Sequence, residues 1–562
     1  MWRTLIVCTF AAICVGQAPA PSGSPSESKG SISGTVKDAE TGAPIPDVIV
    51  SVFTNTSYVN ATVIMSADSK EVRAATDVRG QYSLNGLPSG TYRVNARWQG
   101  RAGSLGAKNV KLKTGQDLAN IDFLTAARGS ISGRVLNHNK EPLPGATVYL
   151  LVKEYSFGHV GYYPKDTAPA DDQGEYSFKR VEPGVGYALM AVLRRPRQGV
   201  SDAPADPALR KPAFVPTYYP SSIEPEGAGQ IILRPGEQRN GADIRFIRAP
   251  SQCAEGTLMA GGPSAGTIWI QSPESSKGDS LDGGLSGMTE SVRVGADGKF
   301  RICELRRGQY KLMGLIQEIG KPNDPPQFGT LGLTVTDRDA EKLQIIGTPG
   351  VPVTGRVMWE GAPPEAAPTV RALVSLQPAN RINFQGEGGG SVRVAIPSDF
   401  SIPNVLVDEY RVRPFVNSRT IYVKDVYYGN TSILRDTFRV GSAGGTGELR
   451  VVLGHDAGSI AVKVADKDGN PMSDIHVVAA PVEIGSEAAF GLAYIIGDTD
   501  QDGMVTLTGL APGKYHLLAL TKKMNHSVDN ISRMWAARSQ AKVVDVAPNG
   551  NAQVTMEPSK VE

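Results

Sequence analysis

Apolar and polar residues alternate in short runs along most of this chain. In Tyr92-Arg93-Val94-Asn95-Ala96-Arg97 every second residue is apolar, the period of a β-strand with one buried face. Tyr410-Arg411-Val412-Arg413 repeats the pattern. Runs rich in β-branched residues, such as Val48-Ile49-Val50-Ser51-Val52 and Ala146-Thr147-Val148-Tyr149-Leu150, supply further strands. Asp-x-x-Gly pieces fall between the runs, and glycine there supplies the positive φ a tight turn needs. Helical periodicity is confined to Ile531 to Ala541. The pattern predicts an all-β chain built from small antiparallel sandwiches.

The runs also recur in a fixed order. Gly30-Ser31-Ile32-Ser33-Gly34-Thr35-Val36 returns as Gly129-Ser130-Ile131-Ser132-Gly133-Arg134-Val135. Each is followed by a turn with two prolines, Pro44 and Pro46 in one and Pro142 and Pro144 in the other. Then come Asp77 to Tyr82 with Leu87 to Tyr92, matched by Asp171 to Tyr176 with Val181 to Tyr187, which has one extra residue. Three further copies follow. The third carries Gly256, Asp297-Gly298 and Tyr310; the fourth carries Gly355, Asp399-Phe400 and Tyr410. The fifth carries Gly458-Ser459-Ile460 with Val462 in place of the strand glycine, then Asp502-Gly503 and Leu510 to Tyr515. The closing tyrosines 92, 187, 310, 410 and 515 are 95, 123, 100 and 105 residues apart. That spacing is the size of one sandwich rather than of a solenoid unit. The expected units are 30–126, 127–249, 250–348, 349–455 and 456–562.

Composition adds a compartment. Arg3 followed by the uncharged, mostly apolar run Leu5 to Gly16 has the length of an export signal and is too short to span a bilayer. Residues 1–18 are therefore expected to be a signal peptide, and 19–29 a Pro/Ser-rich linker. No later segment reads as membrane-spanning, so periplasm, cell surface and medium are all open destinations. Cys253 and Cys303 remain after the signal. An even pair in an oxidising space favours a disulfide, with two separate buried thiols as the other reading. Gly 63 and Pro 39 among 562 residues come to about 18%, against roughly 12% in average usage, as expected for a chain rich in turns. The net charge of +2 gives no pull toward nucleic acid.

Together, Gly-x-Val, the Pro-rich turn, Asp-x-x-Gly-x-Tyr and Leu-x-Pro-Gly-x-Tyr resemble the carboxypeptidase regulatory-like domain, and are similar to collagen-adhesin B-type repeats. The likeness is strongest in copies one, two and five and extends over nearly all of residues 30–562. The multi-copy arrangement resembles exported proteins of soil bacteria such as Acidobacteria. The resemblance implies a tandem array of about five transthyretin-like, immunoglobulin-like antiparallel β-sandwich domains. It also implies an accessory or binding role, because the regulatory domain is the non-catalytic part of such peptidases.

Candidate chemistry is sparse. His138-Asn139-Lys140-Glu141 has the H-x-x-E spacing of a zinc site but falls on a hairpin turn with no third ligand in view. Gly262-Pro263-Ser264-Ala265-Gly266 spells G-x-S-x-G, yet a strand rather than a helix follows it. No catalytic residues are assigned. Asp498, Asp500 and Asp502 alternate ahead of Gly503 like the start of an EF-hand loop, although its twelfth position is Gly509. Calcium is the only cofactor considered, and the alternative reading of Asp502-Gly503 is the repeated turn. The doublets Tyr162-Tyr163, Tyr218-Tyr219 and Tyr427-Tyr428 offer stacking platforms for sugar rings. Strand neighbours face opposite ways, so at most one of each pair is free, and Tyr163, Tyr219 and Tyr428 are the candidates. The expected function is non-catalytic binding or display at the cell envelope, with polysaccharide as first ligand. A structural spacer or protein-interaction module, and an accessory subunit of a secreted hydrolase, are the alternatives.

Overall fold

The structure is a computed structural model. It describes residues 28–559 except 60–61, 99–103, 157–158, 194–196, 199, 202, 205–209, 211, 272–289, 306, 322–323, 366–369, 380–389, 442–446 and 523–526. The expected signal peptide, and the linker up to residue 27, lie outside the described residues.

The first unit shows how the motifs build a sandwich. Its strands are β1 (Gly30–Asp38), β2 (Val48–Val59), β3 (Thr62–Ala75), β4 (Gln81–Leu87), β5 (Gly90–Trp98), β6 (Ser104–Leu112), β7 (Asp117–Leu118) and β8 (Phe123–Thr125). One sheet runs β3-β2-β5-β6, and the other places β1 between β4 and the short pair β7 and β8. Inward residues of both sheets, among them Ile32, Val36, Val50, Leu84, Val94 and Val110, form one closed apolar core. The alternation read from the sequence is the face that packs here. One pairing is not antiparallel: β1 runs parallel to β7 and then to β8. Between those two, the chain passes so close to β1 that a Cβ on Gly34 would lie 2.2 Å from the Ile121 carbonyl oxygen. The Tyr82 hydroxyl donates to that same oxygen at 2.6 Å. The strand glycine and the Tyr of Asp-x-x-Gly-x-Tyr thus serve one crossing segment.

Four more units repeat this plan. Their first strands are Gly129–Leu136, Gln252–Met259, Val351–Trp359 and Gly458–Val464. Each pairs antiparallel with a strand from the Asp-Gly region and parallel with the unit's last strand, the last strand being two short pieces in the second unit. Each unit has its own core. In the second unit Gly133 meets the Ala242 carbonyl oxygen, and the Tyr176 hydroxyl donates to it. In the fifth both residues change together, to Val462 and Val505. There the last strand, Asn551–Met556, pairs continuously with the first, without a crossing break.

The turns follow the same economy. The Asp77 carboxylate accepts backbone N–H groups of Arg79 and Gln81, and Gly80 closes the turn at φ 70°. Asp171 and Asp500 do the same in their units. The closing tyrosines are buried in all five units. Tyr92 and Tyr515 each donate to the carbonyl four residues back, at 2.7 and 2.9 Å. With the extra residue of the second copy, Tyr187 has its backbone hydrogen bond with Glu182, five residues back.

Among the described residues, the outer faces of two sheets carry apolar clusters of their own. In the second unit the outer face carries Tyr149, Leu151, Tyr162, Met190 and Tyr218. In the fifth, α1 (Glu487–Ala493) and α2 (Val528–Ala537) cover the outer face of His476–Pro481 and Gly513–Leu520 with Phe490, Ile531 and Met534. Ser486 and Ser527 cap the two helices by accepting the N–H groups of Ala489 and Asn530.

Candidate functional site

The short catalytic-looking matches are taken up by turns and strand starts. Asn137 holds the Glu141 carboxylate at 2.8 Å and accepts the N–H groups of Asn139 and Glu141, with His138 exposed beside them. Ser264 opens a strand, accepts the Ala260 N–H and donates to the Gly262 carbonyl. Cys253 and Cys303 are joined as a disulfide across neighbouring strands. The Cys253 N–H is held by Asp339, whose carboxylate also receives both terminal nitrogens of Arg210 at 2.6 and 2.5 Å. Arg210 keeps that carboxyl below the usual carboxylate range. Arg301 in turn donates to the Ser201 and Ala203 carbonyls. These contacts tie a long loop of the second sandwich onto the third.

The tyrosine candidates sit half-buried. Tyr219 packs against the core of the second sandwich, and Tyr428 packs on Phe438 at 4.9 Å against that of the fourth. Tyr163 is half-buried beside Tyr162, whose ring meets Tyr218 at 6.4 Å. Tyr163 and Tyr428 lie on strands of different units and Tyr219 in the turn after Thr217–Tyr218, and the three do not converge.

Asp498, Asp500 and Asp502 also take separate roles. Asp498 ends a strand, buried, and accepts from His476 Nδ1 at 2.7 Å. Asp500 is the turn residue; burial pushes its carboxyl up, against two N–H bonds that pull it down. Asp502 is exposed. Among the described residues no three His, Cys, Asp or Glu side chains gather to hold a metal ion.

What meets this loop instead is the edge strand of the first sandwich. Arg93 on β5 lies 3.5 Å from the second oxygen of Asp498. Asn109 on β6 donates to the Asp498 carbonyl at 3.0 Å. The Gln501 amide both accepts from Lys111 N–H and donates to Lys111 C=O, each at 3.1 Å. Lys108 pairs with Asp474. Of the carboxylates expected to attract a cation, Asp498 thus receives Arg93 from another part of the same chain. The Gln501 amide occupies backbone groups that an edge strand otherwise leaves open to a stray partner. Arg93, Lys108 and Asn109 were not singled out by sequence reasoning, because nothing local relates them to a loop nearly 390 residues away.

A second inter-sandwich feature is a groove of about 990 Å³ between the fourth and fifth units. The strand Glu409–Val416 runs along it. Opposite lie Pro481, Glu483 and the segment Thr508 to Tyr515. In its walls Lys424 pairs with Glu360, and the Tyr422 hydroxyl donates to Asp456 at 3.2 Å. Burial, with Asp456 beside it, pushes the Tyr422 phenol up.

Residues 31–124 match the carboxypeptidase regulatory-like domain. No curated protein matches the chain. Among solved structures it is similar to GBS52, the minor pilin of Streptococcus agalactiae, at 14% identity, covering 40% of this chain and 97% of that one with a TM-score of 0.23. It is similar to the shaft pilin SpaA of Lactobacillus rhamnosus GG at 10% identity, covering 40% and 98% with a TM-score of 0.19. It is also similar to BcpA, the major pilin subunit of Bacillus cereus, at 10% identity, covering 55% and 99% with a TM-score of 0.14. No helix among the described residues is long and apolar enough to cross a membrane.

Proposed function

We propose that this chain is a non-catalytic exported protein of the cell envelope, made of five sandwiches spanning 30–126, 127–249, 250–348, 349–455 and 456–562, that binds or displays through surfaces between its units. Polysaccharide is the first ligand class. The observation that carries the reading is where the polar side chains go. Those of the catalytic-looking motifs close turns within one unit, whereas the interactions that join distant parts of the chain, and the one large groove described above, lie between units. The test is retention of the purified full chain on immobilised polysaccharides, with and without calcium. Retention by one glycan class supports recognition, and loss of retention on chelation supports a calcium role for the Asp498 to Asp502 loop. No retention on any glycan overturns the carbohydrate reading and leaves the spacer or protein-interaction module, which the docking of β6 on that loop favours. Hydrolysis of any panel member by the purified chain refutes the non-catalytic reading.

A further inference from the structure

Each apolar cluster among the described residues lies within a single sandwich. No such cluster fastens one unit to another, and units joined without one are expected to move against each other. Consecutive units have a short peptide connection instead. Ala126 to Arg128 lead from β8 into the second sandwich, and His455 to Ala457 lead from the fourth into the fifth. The first and fifth sandwiches are not consecutive, and the contacts between them described above are charged and hydrogen-bonded.

The charges are sorted by unit. The first sandwich brings Arg93, Lys108 and the Asn109 amide, and the fifth brings Asp474, both the carboxylate and the carbonyl of Asp498, and Gln501. The pairs still reach water: the Lys108 and Asp474 side chains are 25% and 30% exposed, and that of Arg93 is 22% exposed. Charges at that depth are rehydrated as they part, so separation costs far less than stranding one member of a sealed pair. Salt also screens them where they stand. Asp498 keeps its bond from His476, inside the fifth sandwich, when Arg93 leaves. The fifth sandwich is held elsewhere as well. Its Ser527 forms a backbone bridge with Glu154 of the second, and the Ala457 N–H donates to the Thr420 carbonyl of the fourth at 3.2 Å. Release of the first sandwich therefore leaves the fifth in place.

We infer that the first sandwich is an arm held closed on the fifth by an ionic latch, Arg93 on Asp498 and Lys108 on Asp474, and that rising ionic strength swings it out about Ala126 to Arg128. In the closed form the Gln501 amide caps the Lys111 backbone on the edge strand β6. Opening releases that backbone toward solvent, where an edge can accept another strand. The inference goes beyond the binding reading above and depends on no glycan.

The experiment is hydrogen exchange at the Lys111 amide of the purified full chain between about 0.05 and 1 M NaCl, with small-angle X-ray scattering on the same samples. Lys111 exchange should rise about fivefold or more over that range, while amides of the β2–β5 ladder keep their rates. The radius of gyration should grow by about a tenth as one unit of five moves outward. Lys108→Glu sets a carboxylate against Asp474 and should give the open behaviour already at low salt. Lys108→Glu/Asp474→Lys restores opposite charges and should return the chain toward the closed form. Arg93→Ala/Lys108→Ala gives the same reading as Lys108→Glu if the charge-reversed chain melts early. Lys111 exchange that ignores both salt and these variants marks a fixed packing contact and overturns the latch. Ladder and junction amides that accelerate together report unfolding and overturn it too. Faster Lys111 exchange at an unchanged radius of gyration is local loosening of the edge and overturns the swinging arm.

Discussion

Replacing Arg93 by Ala should open the contact between the first and fifth sandwiches without unfolding either. Arg93 points away from its own core, between inward Tyr92 and Val94, so truncating it leaves no cavity. Its guanidinium lies 3.5 Å from Asp498, with side chains 22% and 6% exposed. Coulomb's law at that distance gives about 5 kcal/mol at an effective dielectric of ~20, and the hydration both ions give up cancels much of it. A net of roughly 2 kcal/mol is in line with hydrogen bonds to charged groups. That multiplies the open fraction about 30-fold.

The readout is hydrogen exchange at the Lys111 amide, which is bound across the junction by the Gln501 side chain. Where exchange is limited by opening, its rate follows the open population, so Lys111 should exchange about 30-fold faster in Arg93→Ala. Amides of the β2–β5 ladder, internal to the first sandwich, should keep their rates. Asp498→Asn should produce the same effect, and the double variant should fall well short of additivity. If Lys111 exchange changes less than about threefold, the junction is not held by this pair. If ladder and junction amides accelerate together, the effect is global unfolding and the reasoning fails.

Three further outcomes follow from single residues. Asp339→Ala strands Arg210, whose side chain is 3% exposed, and should cost about 3 kcal/mol of stability in denaturant titration of the full chain; a loss below ~1 kcal/mol would mean that the pair contributes little to stability. His516 has its proton affinity lowered by burial and then by Arg538, so the unfolded chain binds more protons near its ordinary value of 6.5. Its contribution is complete above that pH and is lost as pH falls toward the lowered folded value. His516→Leu should therefore flatten the fall in Tm between pH 7.5 and 5.5, and an unchanged slope would clear His516 of that role. Gly80→Ala should cost about 3 kcal/mol, because positive φ alone costs ~1–2 and its Cβ would meet the Val36 carbonyl oxygen at 2.5 Å. Gly42→Ala, at φ 68° with nothing within 4 Å, should cost about 1, and equal costs would show that the close approach is unimportant.

What could be read from the sequence was what is local. An Asp accepting N–H groups two and four residues on, or a Tyr reaching the carbonyl four residues back, leaves a spaced signature in the chain. The repeats therefore announced the sandwich and its turns. They also marked the wrong half of one motif: Asp502-Gly503 was aligned with the other turns, whereas Asp500 fills the place of Asp77 and Asp171. The parallel pairing of first and last strands had no such signature, since it joins segments 86 to 92 residues apart in the first and fifth units. Alternation treats Tyr218-Tyr219 as strand neighbours, but the strand ends at Tyr218 and Tyr219 lies in the turn that follows. Nor could alternation show that the outer face of the second sandwich is itself packed, with Tyr162 and Tyr218 covering one another.

The same alternation had already put Arg411 and Arg413 together on the outward face of a strand. What it lacked was the second wall. A cation pair on an open sheet is an ordinary solvated surface, and only the segment Thr508 to Tyr515 opposite makes it a groove. The loop at Asp498 is the reverse case. Its carboxylates were read as acids in search of a cation, and the first sandwich supplies Arg93 to Asp498 from about four hundred residues away. In a tandem array the side chains left over after each unit has closed its own turns are therefore the ones that decide how units meet. On the proposed binding or display role, the surfaces between sandwiches, rather than any single unit, are the place to test for recognition.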